Sequence, residues 1–435
     1  MKLHQTLLAI LVSILCITPV LSETIEELRE KAEKGNAEAQ YLLGIHYVTG
    51  GLVPKDKAES VKWFRKAAEQ GHATAQYMVG SAYRSGYGVP KDLAEALKWY
   101  RKAADQGYAR AQYMVGLAYR KGSGLPEDHA EAVKWFRKAA DQGIARAQYM
   151  VGLHYADGRG LPEDHAEAVK WFRKAAEQGY AGAQFCLGVA YYSGVGVPED
   201  KAEAVKWYRK AADQGDAGAQ FSLGLAYATG YGVPEDKAEA VKWYRKAADQ
   251  GDADAQLRLG AAYCYGRGLP EDNAEAVKWF RKAADQGVAD AQLKLGAAYC
   301  YGEGVPEDKA EAVKWFRKAA DQGYAGAQFC LGVAYYSGEG VPEDKAEAVK
   351  WLRKAADQGN AGAQFSLGVA YDYGEGVPKN YIQAYMWFNL ASSQGDERAK
   401  DDKLKLSKKM TPEQIAEAQK LSTQWFEEKA KEKKK

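Results

Sequence analysis

The chain has 435 residues, 46% of them hydrophobic, which is enough for a sizeable core and long enough for two or three ordinary domains. Sixty lysines and arginines stand against 58 aspartates and glutamates, a formal charge of +2 with both signs mixed along the chain. That balance excludes a chain-wide field of the kind that draws in nucleic acid or anionic lipid.

The N-terminus carries Lys2, an apolar run from Leu7 to Ile17, Pro19 and the small-residue end Val20, Leu21 and Ser22. This order of charge, apolar core and small residues is that of a secretory signal peptide, residues 1–22, with cleavage expected after Ser22. The apolar run has 11 residues, short of the roughly 20 needed to span a membrane. Leu15 precedes Cys16 where a lipoprotein would carry a small residue, so a soluble exported protein, periplasmic or secreted, is expected. No Asn-x-Ser/Thr acceptor occurs, which points to a bacterial protein. Residues 23–35 read as a truncated helix that caps the N-terminal end of the fold.

From residue 36 one unit repeats. Ten tryptophans from Trp63 to Trp387 recur every 36 residues without a slip. Prolines from Pro54 to Pro378, glycines from Gly44 to Gly368 and glutamines from Gln40 to Gln364 keep the same step. The array divides into ten units, 36–71, 72–107, 108–143, 144–179, 180–215, 216–251, 252–287, 288–323, 324–359 and 360–395. In the second unit, Ala75, Val79, Ala82 and Tyr83 recur at spacings of three and four, an amphipathic helix. Gly86 ends that helix as a left-handed cap, and Gly88 and Pro90 shape a turn. Asp92 with Glu95 forms the expected capping box of a second helix, which buries Ala96, Leu97, Trp99, Tyr100, Ala103 and Ala104 and stops at Gly107. Each unit is therefore helix, turn, helix, and neither helix can bury its stripe without the next unit. Gly80, in mid-helix, costs about 1 kcal/mol against alanine. Its expected return is close approach of a ring, Tyr83 or Trp99, to bare backbone.

The unit AxAQxxLGxAYxxGxGVPxDxxxAxxWxRKAAxQG closely resembles the Sel-one-like repeat (SLR), a relative of the tetratricopeptide repeat, and the likeness covers residues 36–395. The resemblance implies an all-α, right-handed α/α superhelical solenoid of ten 36-residue helix-turn-helix repeats, used as a scaffold or adaptor. Leu52 stands where other units carry the second turn glycine, so the first turn is expected to be irregular. After the array, residues 396–435 read as C-terminal capping helices and a Lys-rich tail, with Thr411, Pro412 and Gln414 starting the last helix.

No residue pattern speaks for catalysis. Cys186 and Cys330 share one slot of the unit, Cys264 and Cys300 another, and no unit holds two, so free thiols are expected rather than disulfides. His46 and His154 occupy a slot that elsewhere holds alanine, and no His-x-x-His or Cys-x-x-Cys exists to gather a metal. The Gly-x-Gly of each turn lacks the strand and lysine of a phosphate loop, and the carboxylate pairs recur with a capping role. No cofactor is expected.

What differs between copies concentrates at positions 74, 78, 81 and 85 and their equivalents, one face of the first helix. The resemblance implies that first helices line a concave groove, so this stripe is the expected binding face for a protein or peptide segment. Its candidate residues are Met78, Arg110, Met114, Arg146, Met150, Cys186, Arg258, Tyr265, Lys294, Tyr301, Cys330 and Tyr373. Drift of unconstrained surface positions is the plain alternative, against which the apolar and aromatic content of the stripe argues. The expected protein is a monomeric interaction scaffold without catalytic activity, with no nucleic-acid partner and no membrane span. The resemblance to SLR proteins also implies a functional rival, a binder of cell-wall fragments or antibiotics with weak hydrolase activity.

Overall fold

The computed structural model describes residues 24–432, so the expected signal peptide, residues 1–22, lies outside the described residues. The chain divides into two compact units, Met1–Asp216 and Ala217–Lys435. The first unit holds α1 Ile25–Glu33, α2 Ala37–Thr49, α3 Lys57–Glu69, α4 Ala73–Ser85, α5 Leu93–Asp105 and α6 Ala109–Lys121. It continues with α7 His129–Asp141, α8 Ala145–Asp157, α9 His165–Glu177, α10 Ala181–Ser193 and α11 Lys201–Asp213. The second holds α12 Ala217–Thr229, α13 Lys237–Asp249, α14 Ala253–Cys264, α15 Asn273–Asp285, α16 Ala289–Tyr301 and α17 Lys309–Asp321. It ends with α18 Ala325–Ser337, α19 Lys345–Asp357, α20 Ala361–Tyr373, α21 Tyr381–Ser393, α22 Glu397–Ser407 and α23 Pro412–Glu432. No strand occurs among the described residues. Within each unit successive helices pack on one another as in a solenoid, and α21 carries both α22 and α23.

The second helices bury the stripe read from the sequence. In α5, Ala96, Leu97, Trp99, Tyr100, Ala103 and Ala104 are all buried. The Asp92 carboxylate accepts from the Glu95 backbone N–H at 2.9 Å, but the reciprocal half of the expected box is absent. Glu95 turns forward instead, accepting from Lys98 Nζ at 2.9 Å and from the Trp99 indole N–H at 3.0 Å. A cation and an indole donor one turn on are better partners for a carboxylate than an exposed backbone amide that water serves. The reciprocal box does form at Thr24 with Glu27 and at Thr411 with Gln414. Across the ring from Glu95, Lys102 Nζ sits 4.2 Å from the Trp99 centroid, and such a lysine covers the tryptophan in each of the first nine repeats.

The mid-helix glycine does admit a ring, though a different one from either expected. A Cβ on Gly80 would lie 2.7 Å from Tyr100 Cδ1 and 3.0 Å from the Ala96 carbonyl oxygen, so the residue after the tryptophan fills the gap. Gly188 meets Tyr208 in the same way, and Gly332 meets Leu352. Tyr83 is used elsewhere: Arg65, from the preceding repeat, donates to its hydroxyl and lies with Cζ 5.4 Å from its ring centroid. In the turn, Gly86 (φ +72°) and Gly88 (φ +68°) are left-handed, and a Cβ on Gly88 would strike the Lys57 carbonyl at the start of α3. Leu52, in the first repeat, avoids positive φ and stands 53% exposed, while Gly50 still closes α2 at φ +73°.

One structural series is visible in the sequence only as a repeating letter. Gln76 is buried in α4, donates to the Ala68 carbonyl of α3 at 3.1 Å and accepts from Gln106 at the end of α5 at 2.7 Å. The Gln–Gln bond recurs in all ten repeats at 2.7–2.8 Å. A buried amide is tolerable only when both ends are satisfied, and here satisfying it joins three consecutive helices. At the ends, Leu28 and Ala32 of α1 cover Leu43 and Trp63, while Ala399, Leu406 and Ala418 of α22 and α23 cover Tyr385 and Phe388.

Candidate interaction face on the first helices

The structure does not gather the candidate residues into one pocket; it distributes them over successive first helices of each compact unit. Met78, Met114 and Met150 offer little exposed surface. They are 7–8% exposed and belong to the core, Met114 packing with Leu97, Tyr100 and Trp135 while its Sδ accepts from Arg84 Nη1 at 3.4 Å. Slot 78 lies at the seam with the preceding first helix, so a long cation there lays its stem over the thioether. Cys186 and Cys330 in the same slot are half-buried. Burial pushes both thiols up to about 11, so neither is an ionised nucleophile at neutral pH. The four described cysteines are unbonded.

Other candidates do reach solvent. Arg110 is half-buried beside Tyr108, and Arg146 is exposed next to Tyr113. In the second compact unit Arg258 is exposed and Lys294 half-buried. Tyr265 is 55% exposed with Arg267 Cζ 5.0 Å and Lys294 Nζ 5.9 Å from its ring centroid. Tyr301 and Tyr373, its equivalents in later repeats, are 72% and 71% exposed at the last residue of α16 and α20.

Between the C-terminal ends of successive first helices, the first unit opens a row of clefts. One of about 260 Å³ lies between α4 and α6 over α5, lined by Arg84, Lys91, Tyr100, Met114, Leu117 and Lys121. The next, about 210 Å³, is lined by Arg120, Lys121, Glu127, His129, His154 and Arg159. His154 is 4% exposed, donates from Nδ1 to the Arg159 carbonyl at 2.7 Å, and stands with its ring 5.5 Å from that of His129. Burial holds its pKa below the ordinary 6.5; the carbonyl opposes this shift and the neighbouring His129 and Arg120 reinforce it. His129 Nε2 meets Glu127 Oε1 at 2.7 Å. Sequence reading missed these clefts because Arg84, Arg120, Lys91 and Arg159 lie outside the four slots on which it fixed; the signal available was that the slot of Arg84 and Arg120 changes residue type between repeats as much as those four do. Among the described residues no group of three or more His, Cys, Asp or Glu is placed to hold a metal, and no helix is long and apolar enough to cross a membrane.

Helix pairs of constant length, locked by buried glutamines and individual on one face, define an α-solenoid of helical repeats. The Sel1 repeat profile matches ten times, over residues 37–72, 73–108, 109–144, 145–180, 181–216, 217–252, 253–288, 289–324, 325–360 and 361–396, and the chain belongs to the Sel1 repeat family. Proteins of this family are in general scaffolds for protein–protein interaction. Among solved structures, the chain is similar to a protective antigen present in uropathogenic Escherichia coli strains that displays an SLR fold. The two are 39% identical over 93% of this chain and 95% of that one, with a TM-score of 0.56. It is also similar to a Sel1 repeat protein from Oxalobacter formigenes, at 38% identity over 71% of this chain and 90% of that one, TM-score 0.56. No curated protein matches the chain.

Proposed function

We propose that the chain is an exported bacterial scaffold that binds a segment of a partner protein on the exposed face of its first helices. The observation that carries this reading is the repeated exposed tyrosine. Tyr265, Tyr301 and Tyr373 hold one slot in three repeats at 55–72% exposure, where other repeats hold Ser193, Thr229 or Ser337. An unconstrained exposed slot drifts toward polar residues, whereas a rigid ring with a polar tip is what recognition surfaces retain. Export is supported by the apolar run of residues 7–17 and by the likeness to a protein described as a protective antigen. No arrangement among the described residues favours the rival wall-fragment binder or hydrolase.

Burial of the methionines makes them poor test positions, since their loss would unsettle the core. The test is therefore Tyr265→Ser, Tyr301→Ser and Tyr373→Ser together, residues of the kind other repeats already carry. Partner recovery from envelope extract is expected to fall at least several-fold with helicity and melting unchanged; equal recovery would sink the reading. Export is checked by N-terminal sequencing of protein from the envelope fraction, expected to begin at Glu23 and refuted by a chain that keeps residues 1–22.

A further inference from the structure

We infer that the two basic clefts of the first compact unit form one receptor for an acidic peptide segment, taking two carboxylates in adjacent clefts. The inference rests on the scaffold reading above and names the chemistry of one partner. Its basis is a contrast in how lysines and arginines are used. Along the second helices, Lys98, Lys134 and Lys170 each hold a glutamate three residues back at 2.8–2.9 Å. Arg84, Lys91, Arg120 and Lys121, which line the clefts, have no carboxylate partner among the described residues. Arg120 Nε is moreover buried with no hydrogen-bond acceptor. In the first cleft Arg84, Lys91 and Lys121 gather without counter-charge and repel one another, while in the second Asp157 lies 4.0 Å from Arg159 and Glu127 2.7 Å from His129, leaving Arg120 and Lys121 unmatched. An anionic ligand offsets the repulsion.

The pitch and the lining select the ligand. Arg84 of α4 touches Met114 of α6, so the clefts follow the spacing of neighbouring first helices, about 10 Å. A peptide in the polyproline II conformation advances about 3.1 Å per residue with three residues per turn, so side chains three positions apart point the same way about 9 Å apart. Lys121 lines both clefts and would stand between the two carboxylates. Glu127 and Asp157 line the second cleft, which disfavours an unbroken row of phosphates and tolerates a peptide whose acidic residues are separated by two neutral ones. The apolar floor of the first cleft, Leu117 and Met114 with the face of Tyr100, suits the intervening residues.

The experiment is fluorescence anisotropy on the full chain at low salt with a labelled Gly/Ser peptide carrying two glutamates three positions apart. Its controls are the same peptide with glutamines and a single-stranded oligonucleotide of equal length. The variant combines Arg84→Ala, Arg120→Ala and Lys121→Ser, following Ala156, Ala228 and Ser85 in the same slots of other repeats, so its fold is expected to survive and is checked by circular dichroism. The glutamate peptide should bind at least ten-fold tighter than the glutamine peptide, lose at least ten-fold in the variant and weaken with salt. Equal affinity for glutamate and glutamine peptides, unchanged binding by the variant, tighter binding of the oligonucleotide, or displacement by an equal concentration of inorganic phosphate would each overturn it. The tyrosine variant lies in the other compact unit. Loss of the acidic-peptide effect alone therefore refutes this inference, and unchanged partner recovery in the tyrosine variant refutes the broader reading.

Discussion

At the scale of single residues, the repeat behaves as a set of fixed slots in which substitutions can be read against nine internal controls. His154 is the clearest case, because its slot holds alanine at 82, 118 and 190, and here an imidazole is buried instead. Its folded-state pKa is depressed by burial, with His129 and Arg120 adding to the shift, while in the unfolded chain it titrates near 6.5. Below that pH the unfolded state binds the extra proton, so stability present above 6.5 is lost as the pH falls. Denaturant melts are expected to show the midpoint falling between neutral pH and the folded-state pKa, with a smaller fall in His154→Ala. An identical pH slope in the variant would assign the effect to other groups, of which His46, also depressed by burial, is the first to test. Slot 82 belongs to the apolar stripe visible in the sequence, so the burial of His154 was legible; its partners, the Arg159 carbonyl and the His129 ring, were not, because they come from the following turn and from a second helix.

At the scale of helices and their contacts, the period, the helix pairs and the buried stripe of the second helix were all visible in the letters, because each follows from spacing along one helix. What stayed hidden depends on a second helix. Tyr100 rather than Trp99 fills the gap at Gly80, Met114 goes inward under Arg84, and Glu95 serves Trp99 instead of the backbone. The glutamine series shows the same limit, since a polar letter at constant spacing does not reveal which carbonyl it meets. Gln292 donates to Ala284 at 3.1 Å and accepts from Gln322 at 2.8 Å, so it ties α15, α16 and α17. Gln292→Leu keeps the volume but removes both side-chain bonds: the Ala284 carbonyl is left with the Gly287 N–H alone, at 3.0 Å, and the Gln322 amide turns back to its own helix. The expected cost is about 1 to 3 kcal/mol in denaturant unfolding. Hydrogen exchange should show the loss concentrated in α15 to α17. A loss spread evenly over the compact unit would mean that the glutamines do not act as local ties.

At the scale of the whole molecule, a chain of repeats is stabilised by each unit covering the next, so the two kinds of deletion should differ sharply. Residues 289–324 form one complete repeat whose neighbours present nearly the same surfaces, with Gly260 facing Phe280 and Gly332 facing Leu352. Removing those residues lets α15 meet α18 through equivalent slots, and the melt should remain cooperative with a modestly lower midpoint. The end of the array has no such substitute. Trp387, Phe388 and Leu390 are at most 2% exposed, covered in part by α22 and α23, whose Ala399, Leu406, Ala418, Leu421 and Trp425 pack on the α21 clusters. Truncation after Gly395 uncovers these large side chains at once, with an expected loss on the order of 5 kcal/mol. The exposed apolar surface should drive self-association visible by size-exclusion chromatography. If the truncated chain elutes in the same oligomeric state as the full-length protein and melts with it, α22 and α23 do not act as a cap and the last repeat must close the core alone.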